Sequence, residues 1–167
     1  ESMREGASGV YFTGGEPSSV PWIFDVLAHA KAMKYRRIQM QSHAGRASDP
    51  AYADRLVEAG LTAIDIPFYG ANAEVHESIT NTPGSFERTS LGLRNLKERG
   101  VETCVHITLF QSNLYSLSDV ITFWNTLEPN AGYVQTSGEV GQPGTYERVA
   151  PSPTVVGSVI TQALRDV

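Results

Sequence analysis

The stretch VYFTGGEPSS, Val10 to Ser19, joins a short run of β-branched and aromatic residues to two glycines, a glutamate and a proline. The run Val10 to Thr13 predicts a β-strand, and the residues after the proline predict a helix over 19–33. Glycine lets the backbone approach a ligand closely, and the first turn of a helix has unpaired amide groups. The stretch therefore predicts a strand, a turn that can meet a small polar ligand, and a helix.

Strand and helix patterns continue to alternate along the chain. We place Pro21 in the first turn of the first helix, Asp49 at the N-cap of the second and Gly60 directly after its end. This regular alternation predicts an α/β fold of parallel strands joined by right-handed crossovers. The further strands are predicted at 37–42, 63–68, 103–110 and 133–136, and the further helices at 50–59, 73–79, 86–99, 118–127 and 154–165.

The length of the chain limits which α/β architecture it can form. With 167 residues, of which 41% are hydrophobic, we expect one domain over residues 1–167 with its own core. A closed eight-unit barrel needs at least about 200 residues. The predicted units therefore form either an open doubly wound sheet or part of a barrel. In both architectures the functional groups stand at the C-terminal ends of the strands.

Composition argues against several kinds of partner and site. A net charge of −5 creates no basic surface field, so we expect neither nucleic acid nor a membrane as partner. No run of about 18 apolar residues and no signal-peptide pattern occurs, so we expect a cytoplasmic protein. The single cysteine, Cys104, excludes an internal disulfide and any metal site made of several thiolates of this chain.

Polar residues and glycines mark the C-terminal ends of the predicted strands. Asp65 is unusual because a carboxylate inside an apolar strand must be paired or must face a ligand pocket. For the glycines of the first strand end, an ordinary turn beside a solvated glutamate is the alternative interpretation. The candidates in chain order are Gly14, Gly15 and Glu16, then Ser42 and His43, then Asp65, then Thr108, and last the glycine-rich loop TSGEVGQPG at 136–144.

Histidines and carboxylates leave a metallohydrolase as one alternative. That function requires His43, Asp65 and His106 to converge on one metal ion. We expect His106 instead to be an ordinary hydrogen-bonded residue, because it alternates with Cys104 on one strand. Cys104 is expected to be a buried small side chain rather than a nucleophile, since no basic neighbour in sequence lowers its pKa.

Several separate segments resemble consecutive parts of the radical S-adenosylmethionine (radical SAM) enzymes, in particular the branch that modifies peptides or makes cofactors. The segments are VYFTGGEPSS, IQMQSHAG and IDIPFYGANAEVHESITNTPGSFERTSLGLRNLKERGV. They carry the glycine-glycine-glutamate-proline turn after a strand, a tyrosine-glycine turn followed by an acidic residue and His76, and a helix start at 84–87. The resemblance covers residues 8–111 and continues more weakly to the end of the chain.

This resemblance implies a partial TIM barrel of parallel strands with S-adenosylmethionine lying across the strand ends. It implies that the backbone at Gly14 and Gly15, with Glu16 nearby, receives the amino group of the methionine part. Ser42 and His43 match positions where the family usually has threonine and asparagine. Together with Thr108 they are candidates for lining the cofactor cavity. No catalytic residue is assigned.

The resemblance also implies a part that this sequence does not contain. Family members hold a 4Fe–4S cluster with three cysteines in a CxxxCxxC loop, and none of the three is present here. We therefore expect the sequence to begin inside an incomplete radical SAM core that lacks its first unit, with the missing segment or a second chain as a partner. On its own the chain is expected to be inactive.

The implied function is that of a radical SAM enzyme. The complete protein would generate a 5′-deoxyadenosyl radical that abstracts hydrogen from a small-molecule or peptide substrate. The alternative from a different class is a non-catalytic nucleotide-binding or interaction module derived from the same fold.

Overall fold

A computed structural model describes residues 6–136 and 150–166, and within them strands and helices alternate as predicted. The strands are β1 (Gly9–Phe12), β2 (Arg37–Gln41), β3 (Ala63–Pro67), β4 (Glu102–Leu109) and β5 (Ala131–Thr136). The helices are α1 (Ile23–Ala32), α2 (Pro50–Ala59), α3 (Ala73–Thr80), α4 (Ser85–Glu98), α5 (Leu117–Leu127) and α6 (Pro153–Asp166). Three short 3₁₀ turns occupy Pro17–Ser19, Gly45–Ser48 and Leu114–Ser116.

The order of the strands decides between the two architectures. The five parallel strands form one sheet in the order β1-β2-β3-β4-β5, which is their order along the chain. A doubly wound sheet reverses its strand order at a switch point, and this sheet has no reversal. Successive right-handed crossovers without a reversal place the helices on one face, as in a barrel. The prediction of a partial TIM barrel is therefore confirmed, and the doubly wound alternative is wrong.

The side chains of β2 show the same one-sided arrangement. Ile38 and Met40 are buried, whereas Arg37, Gln39 and Gln41 alternate with them and are partly or fully exposed. A parallel strand covered by helices on both faces is apolar throughout. The alternation along β2 is therefore the pattern expected of a strand in a sheet whose second face is polar.

Two of the predicted helix ends are confirmed and one helix start is wrong. Asp49 caps α2 by accepting a hydrogen bond from a backbone amide, and Gly60 ends the helix with a φ of 118°. The first helix begins at Ile23 rather than at residue 19, so Pro21 precedes it. Val20 stands before that proline and is extended, with ψ of 128°, because the proline ring excludes helical backbone in the preceding residue.

The described chain divides into two compact units, and each has its own core. The first contains residues 6–66, 88–104 and 129–131. Its buried side chains come from α1, α2, α4 and the apolar face of the strands. They include Leu27, Ile38, Met40, Leu56, Ile64 and Leu96.

The second unit contains residues 67–87, 105–128, 132–136 and 150–166. Phe68 is fully buried, and its ring makes edge contacts with the rings of His76, Phe86 and Phe123 at 5.5 to 6.3 Å between centroids. Within residues 6–136 and 150–166, no helix combines the length and the apolar character needed to cross a membrane.

Candidate functional site around Glu16

The turn after β1 leaves its backbone open. Gly14 and Gly15 both have positive φ, at 88° and 50°, and a Cβ atom added to either would meet nothing within 4 Å. Positive φ explains why glycine is needed here, because other residues adopt it only at a cost. The turn therefore presents backbone to its surroundings with no side chain in the way, as the sequence predicted.

The Glu16 carboxylate lies directly after this turn and is held by donors from two segments. Its Oε1 accepts hydrogen bonds from the Ser18 amide at 2.9 Å and from the Ser42 hydroxyl at 2.6 Å. Its Oε2 accepts from the His43 amide at 3.0 Å, and the Nε2 atom of the His43 ring lies 3.2 Å from the same oxygen. The structure thus brings together Glu16, Ser42 and His43, which the sequence proposed as separate candidates.

These donors keep Glu16 ionised. Burial by itself raises the pKa of a carboxyl group, but the hydrogen bonds from Ser18, Ser42 and His43 outweigh burial and hold the pKa of Glu16 below its usual value. The open turn therefore ends in a fixed negative charge. Such a charge beside the exposed residues Gly14 and Gly15 suits a positively charged amino group.

Helix α4 supports the loop that carries His43. The Thr89 hydroxyl donates to the His43 carbonyl at 2.9 Å, and the Asn95 side chain donates to the carbonyl of Ala47 at 2.8 Å. Between them Gly92 lies so close to the Ala44 carbonyl oxygen that a Cβ atom has no room. These three α4 residues are spaced three apart and share one face of the helix.

The sequence reasoning missed this support from α4. A signal was present, because Thr89, Gly92 and Asn95 place small and polar residues on a helix face that is buried. Buried polar side chains need partners, so such a face predicts contact with backbone rather than with a hydrophobic core. Which backbone it would contact could not be read from the spacing.

Asp65 is paired within the first unit. It is 6% exposed, and its Oδ2 accepts hydrogen bonds from the Tyr11 hydroxyl at 2.8 Å and the Gln39 amide at 2.9 Å.

Burial and the adjacent Asp65 carboxylate raise the pKa of Cys104 to about 11. Cys104 is half-buried rather than buried as predicted, and its thiol is protonated at neutral pH, which agrees with the prediction that it is not a nucleophile.

The remaining candidate residues from the sequence are not among the hydrogen-bond partners of Glu16. Thr108 belongs to the second unit, where its hydroxyl accepts a hydrogen bond from Gln135 at 2.7 Å, and its role in a cofactor cavity stays a prediction. His106 is buried in the same unit and stacks on Tyr133 with ring centroids 5.0 Å apart. The predicted glycine-rich loop covers residues 136–144, and all of it after residue 136 lies outside the described part of the chain.

The metallohydrolase alternative needs three ligands that converge. Within the described residues, no three or more side chains among histidine, cysteine, aspartate and glutamate are grouped so that they could hold a metal ion. His43, Asp65 and His106 do not form such a group.

Comparison with known proteins shows which family the chain belongs to. The sequence model of the radical SAM superfamily matches residues 2–115, more than half of the chain. The chain belongs to the radical SAM superfamily. The match includes the Gly14-Gly15-Glu16 turn, Ser42 and His43, so the Glu16 site lies within the matched part of this radical SAM chain.

Curated relatives of this radical SAM chain share one name. It is 28% identical over 111 residues to an AdoMet-dependent heme synthase of Nitratidesulfovibrio vulgaris, a match that covers 66% of this chain and 30% of the relative. It is 25% identical over 140 residues to a protein of the same name from Methanosarcina barkeri, covering 84% of this chain and 40% of that protein. The chain thus spans about a third of the length of the curated relatives it matches.

Solved structures share the fold. The anSMEcpe structure with bound AdoMet and a peptide matches 98% of this chain and 48% of that chain, with a TM-score of 0.75 and 14% identity. Coproporphyrinogen III oxidase (HemN) from Escherichia coli matches 95% of this chain and 39% of that chain, with a TM-score of 0.72 and 16% identity. A domain of a pyruvate-formate lyase-activating enzyme from Bacteroides vulgatus matches 95% of this chain and 94% of that chain, with a TM-score of 0.66 and 18% identity.

The residues of the Glu16 site fit one of the two cofactors that the family implies. An open glycine turn beside an ionised carboxylate suits the ammonium group of S-adenosylmethionine. A 4Fe–4S cluster needs three cysteine ligands, and residues 1–167 contain only Cys104, whose thiol is protonated at neutral pH. The residues of this chain therefore fit S-adenosylmethionine and do not supply the ligands of a cluster.

Proposed function

We propose that the full-length protein is a radical SAM enzyme and that the Glu16 site binds the methionine end of S-adenosylmethionine. The observation that carries the proposal is the ionised Glu16 carboxylate directly after the open Gly14-Gly15 turn, in a chain of this superfamily. Held there by Gly14, Gly15 and Glu16, next to a reduced 4Fe–4S cluster, S-adenosylmethionine would supply a 5′-deoxyadenosyl radical for hydrogen abstraction from the substrate.

Each residue of the site has a defined task in this proposal. Glu16 offers negative charge to the ammonium group, and the backbone carbonyls of Gly14 and Gly15 offer further acceptors. Ser42 and the His43 amide hold the carboxylate in place, so its position is set before the ligand arrives. Thr108 stays a proposed cofactor-binding residue.

The substrate is proposed to be a small molecule or a peptide. The name shared by the curated relatives, AdoMet-dependent heme synthase, makes tetrapyrroles the first class to assay. The peptide bound in the anSMEcpe structure makes peptides the second class.

The proposal is tested with the full-length protein after anaerobic reconstitution with iron and sulfide. Incubation with S-adenosylmethionine and a reductant should yield 5′-deoxyadenosine, measured by liquid chromatography and mass spectrometry. Glu16→Gln removes the negative charge with little change in volume, and we expect S-adenosylmethionine to bind at least about tenfold more weakly. A reconstituted protein that binds S-adenosylmethionine but makes no 5′-deoxyadenosine would support the non-catalytic binding module instead.

A matched control separates charge at the site from charge in general. Glu58 is an exposed glutamate near the end of α2, away from the turn in sequence. Glu58→Gln makes the same chemical change and should leave S-adenosylmethionine affinity unchanged. Equal affinity in Glu16→Gln and Glu58→Gln would show that Glu16 does not bind the ammonium group.

A further inference from the structure

The Glu16 carboxylate has one acceptor position whose donor can be replaced. A carboxylate offers about four lone-pair positions. Two on Oε1 are taken by Ser18 and Ser42, and one on Oε2 by the His43 amide. The Nε2 atom of the His43 ring stands at the remaining position.

The ring contact is the weakest of the set. At 3.2 Å it is longer than the hydrogen bonds of 2.6 to 3.0 Å from the other donors, and 53% of the His43 side chain is exposed. The Nδ1 atom accepts a hydrogen bond from the Gly45 amide at 3.0 Å, so a neutral ring carries its proton on Nε2, facing Glu16. An exposed ring can turn away about its side-chain bonds without disturbing the backbone donors.

We propose that the His43 ring is an internal competitor, which occupies the acceptor position on Glu16 that an ammonium group of a ligand takes when it binds. The inference rests on the proposed function of the Glu16 site and adds a specificity-determining role for His43. A ligand with an ammonium group must displace the ring, whereas a ligand without one leaves the ring in place. His43 thus lowers the affinity of the site for ligands that place a donor at this position and leaves the affinity for other ligands unchanged.

Gly45 provides a second way to move the ring. A Cβ atom added to Gly45 would lie 2.9 Å from His43 Nδ1 and 3.1 Å from the adjacent ring carbon. Both atoms belong to an exposed side chain, so the ring would move before the backbone does. Gly45→Ala should therefore push the ring from its place without deleting it.

The experiment compares two ligands by isothermal titration calorimetry on the reconstituted full-length protein. S-adenosylmethionine carries the ammonium group, and 5′-methylthioadenosine has the adenosyl thioether without it. We expect His43→Ala to bind S-adenosylmethionine about three- to tenfold more tightly, since one hydrogen bond no longer competes. Gly45→Ala should act in the same direction with a smaller gain. The affinity for 5′-methylthioadenosine should change less than about twofold in both variants.

His29→Ala is the matched control, because His29 is exposed on α1 and should leave both affinities unchanged. In wild-type protein labelled with ¹⁵N-histidine, the Nε2 resonance of His43 should shift on addition of S-adenosylmethionine and stay in place with 5′-methylthioadenosine. Weaker or unchanged binding of S-adenosylmethionine to His43→Ala overturns the role of His43 alone. Failure of the wild-type protein to bind either ligand overturns the proposed function and this inference with it.

Discussion

Gly92 is the position at which one added methyl group should disturb both the stability and the Glu16 site. Gly92→Ala places a Cβ atom against the carbonyl oxygen of Ala44, with the Ala44 carbonyl carbon at 3.0 Å and its Cβ at 3.2 Å. All three neighbours are backbone or directly attached to it. Ala44 itself has a φ of 56°, a strained conformation for a residue other than glycine, so it has little freedom to move further.

Two opposing effects set the size of the change. Alanine in place of glycine inside a helix stabilises it by about 0.5 to 1 kcal/mol. Forcing a methyl group into a filled space costs about 1 to 3 kcal/mol, and sometimes more. Because the contact at Gly92 is with rigid backbone, we expect the upper part of that range. The net loss in the free energy of unfolding should therefore be about 2 kcal/mol.

Urea denaturation followed by circular dichroism measures this loss, and Gly157 provides a control of opposite sign. Gly157 lies within α6, has no positive φ, and an added Cβ atom would meet nothing within 4 Å. Gly157→Ala should therefore stabilise the protein by about 0.5 to 1 kcal/mol through helix propensity alone. If Gly92→Ala is as stable as the wild type or more stable, the proposed close packing of α4 on the loop after β2 is refuted.

Three further outcomes follow from single groups. His76 is buried, its Nδ1 accepts a hydrogen bond from the Tyr69 amide, and burial lowers its pKa from 6.5 to about 4. Above pH 6.5 the fold therefore keeps about 3 kcal/mol of stability that protonation of the unfolded chain removes at lower pH. That contribution should be lost as the pH falls from 6.5 to 4, and His76→Gln should flatten this part of a plot of unfolding free energy against pH. With its pKa raised to about 11 by burial and by Asp65, Cys104 should react with a disulfide reagent at pH 8 at least about a hundredfold more slowly than glutathione does. Asp49→Ala removes the cap of α2 and should lower the free energy of unfolding by about 1 kcal/mol, measured in urea, whereas Asp49→Asn should retain most of it.

The order and type of the elements could be predicted from the sequence because they depend on near neighbours. The apolar period distinguishes helices from strands, and caps such as Asp49 and Gly60 act within a few residues. The helix start displaced to Ile23 follows from an equally local rule that the prediction overlooked, the restriction of Val20 by the proline after it. The choice between a doubly wound sheet and a partial barrel needed the strand order, which periodicity does not contain.

The Glu16 site, too, could be predicted from the sequence only in part. The sequence by itself determined that two glycines and a glutamate end the first strand, since their backbone freedom and charge are properties of those residues alone. Only the tertiary structure decided that Ser42 and His43, 26 and 27 residues away, complete the environment of the carboxylate. It also decided that α4 holds their loop in place. The physical reason is that hydrogen bonds and close contacts depend on distances between atoms. Strand pairing brings residues together in space, and the number of residues between them in the chain does not predict which atoms will meet.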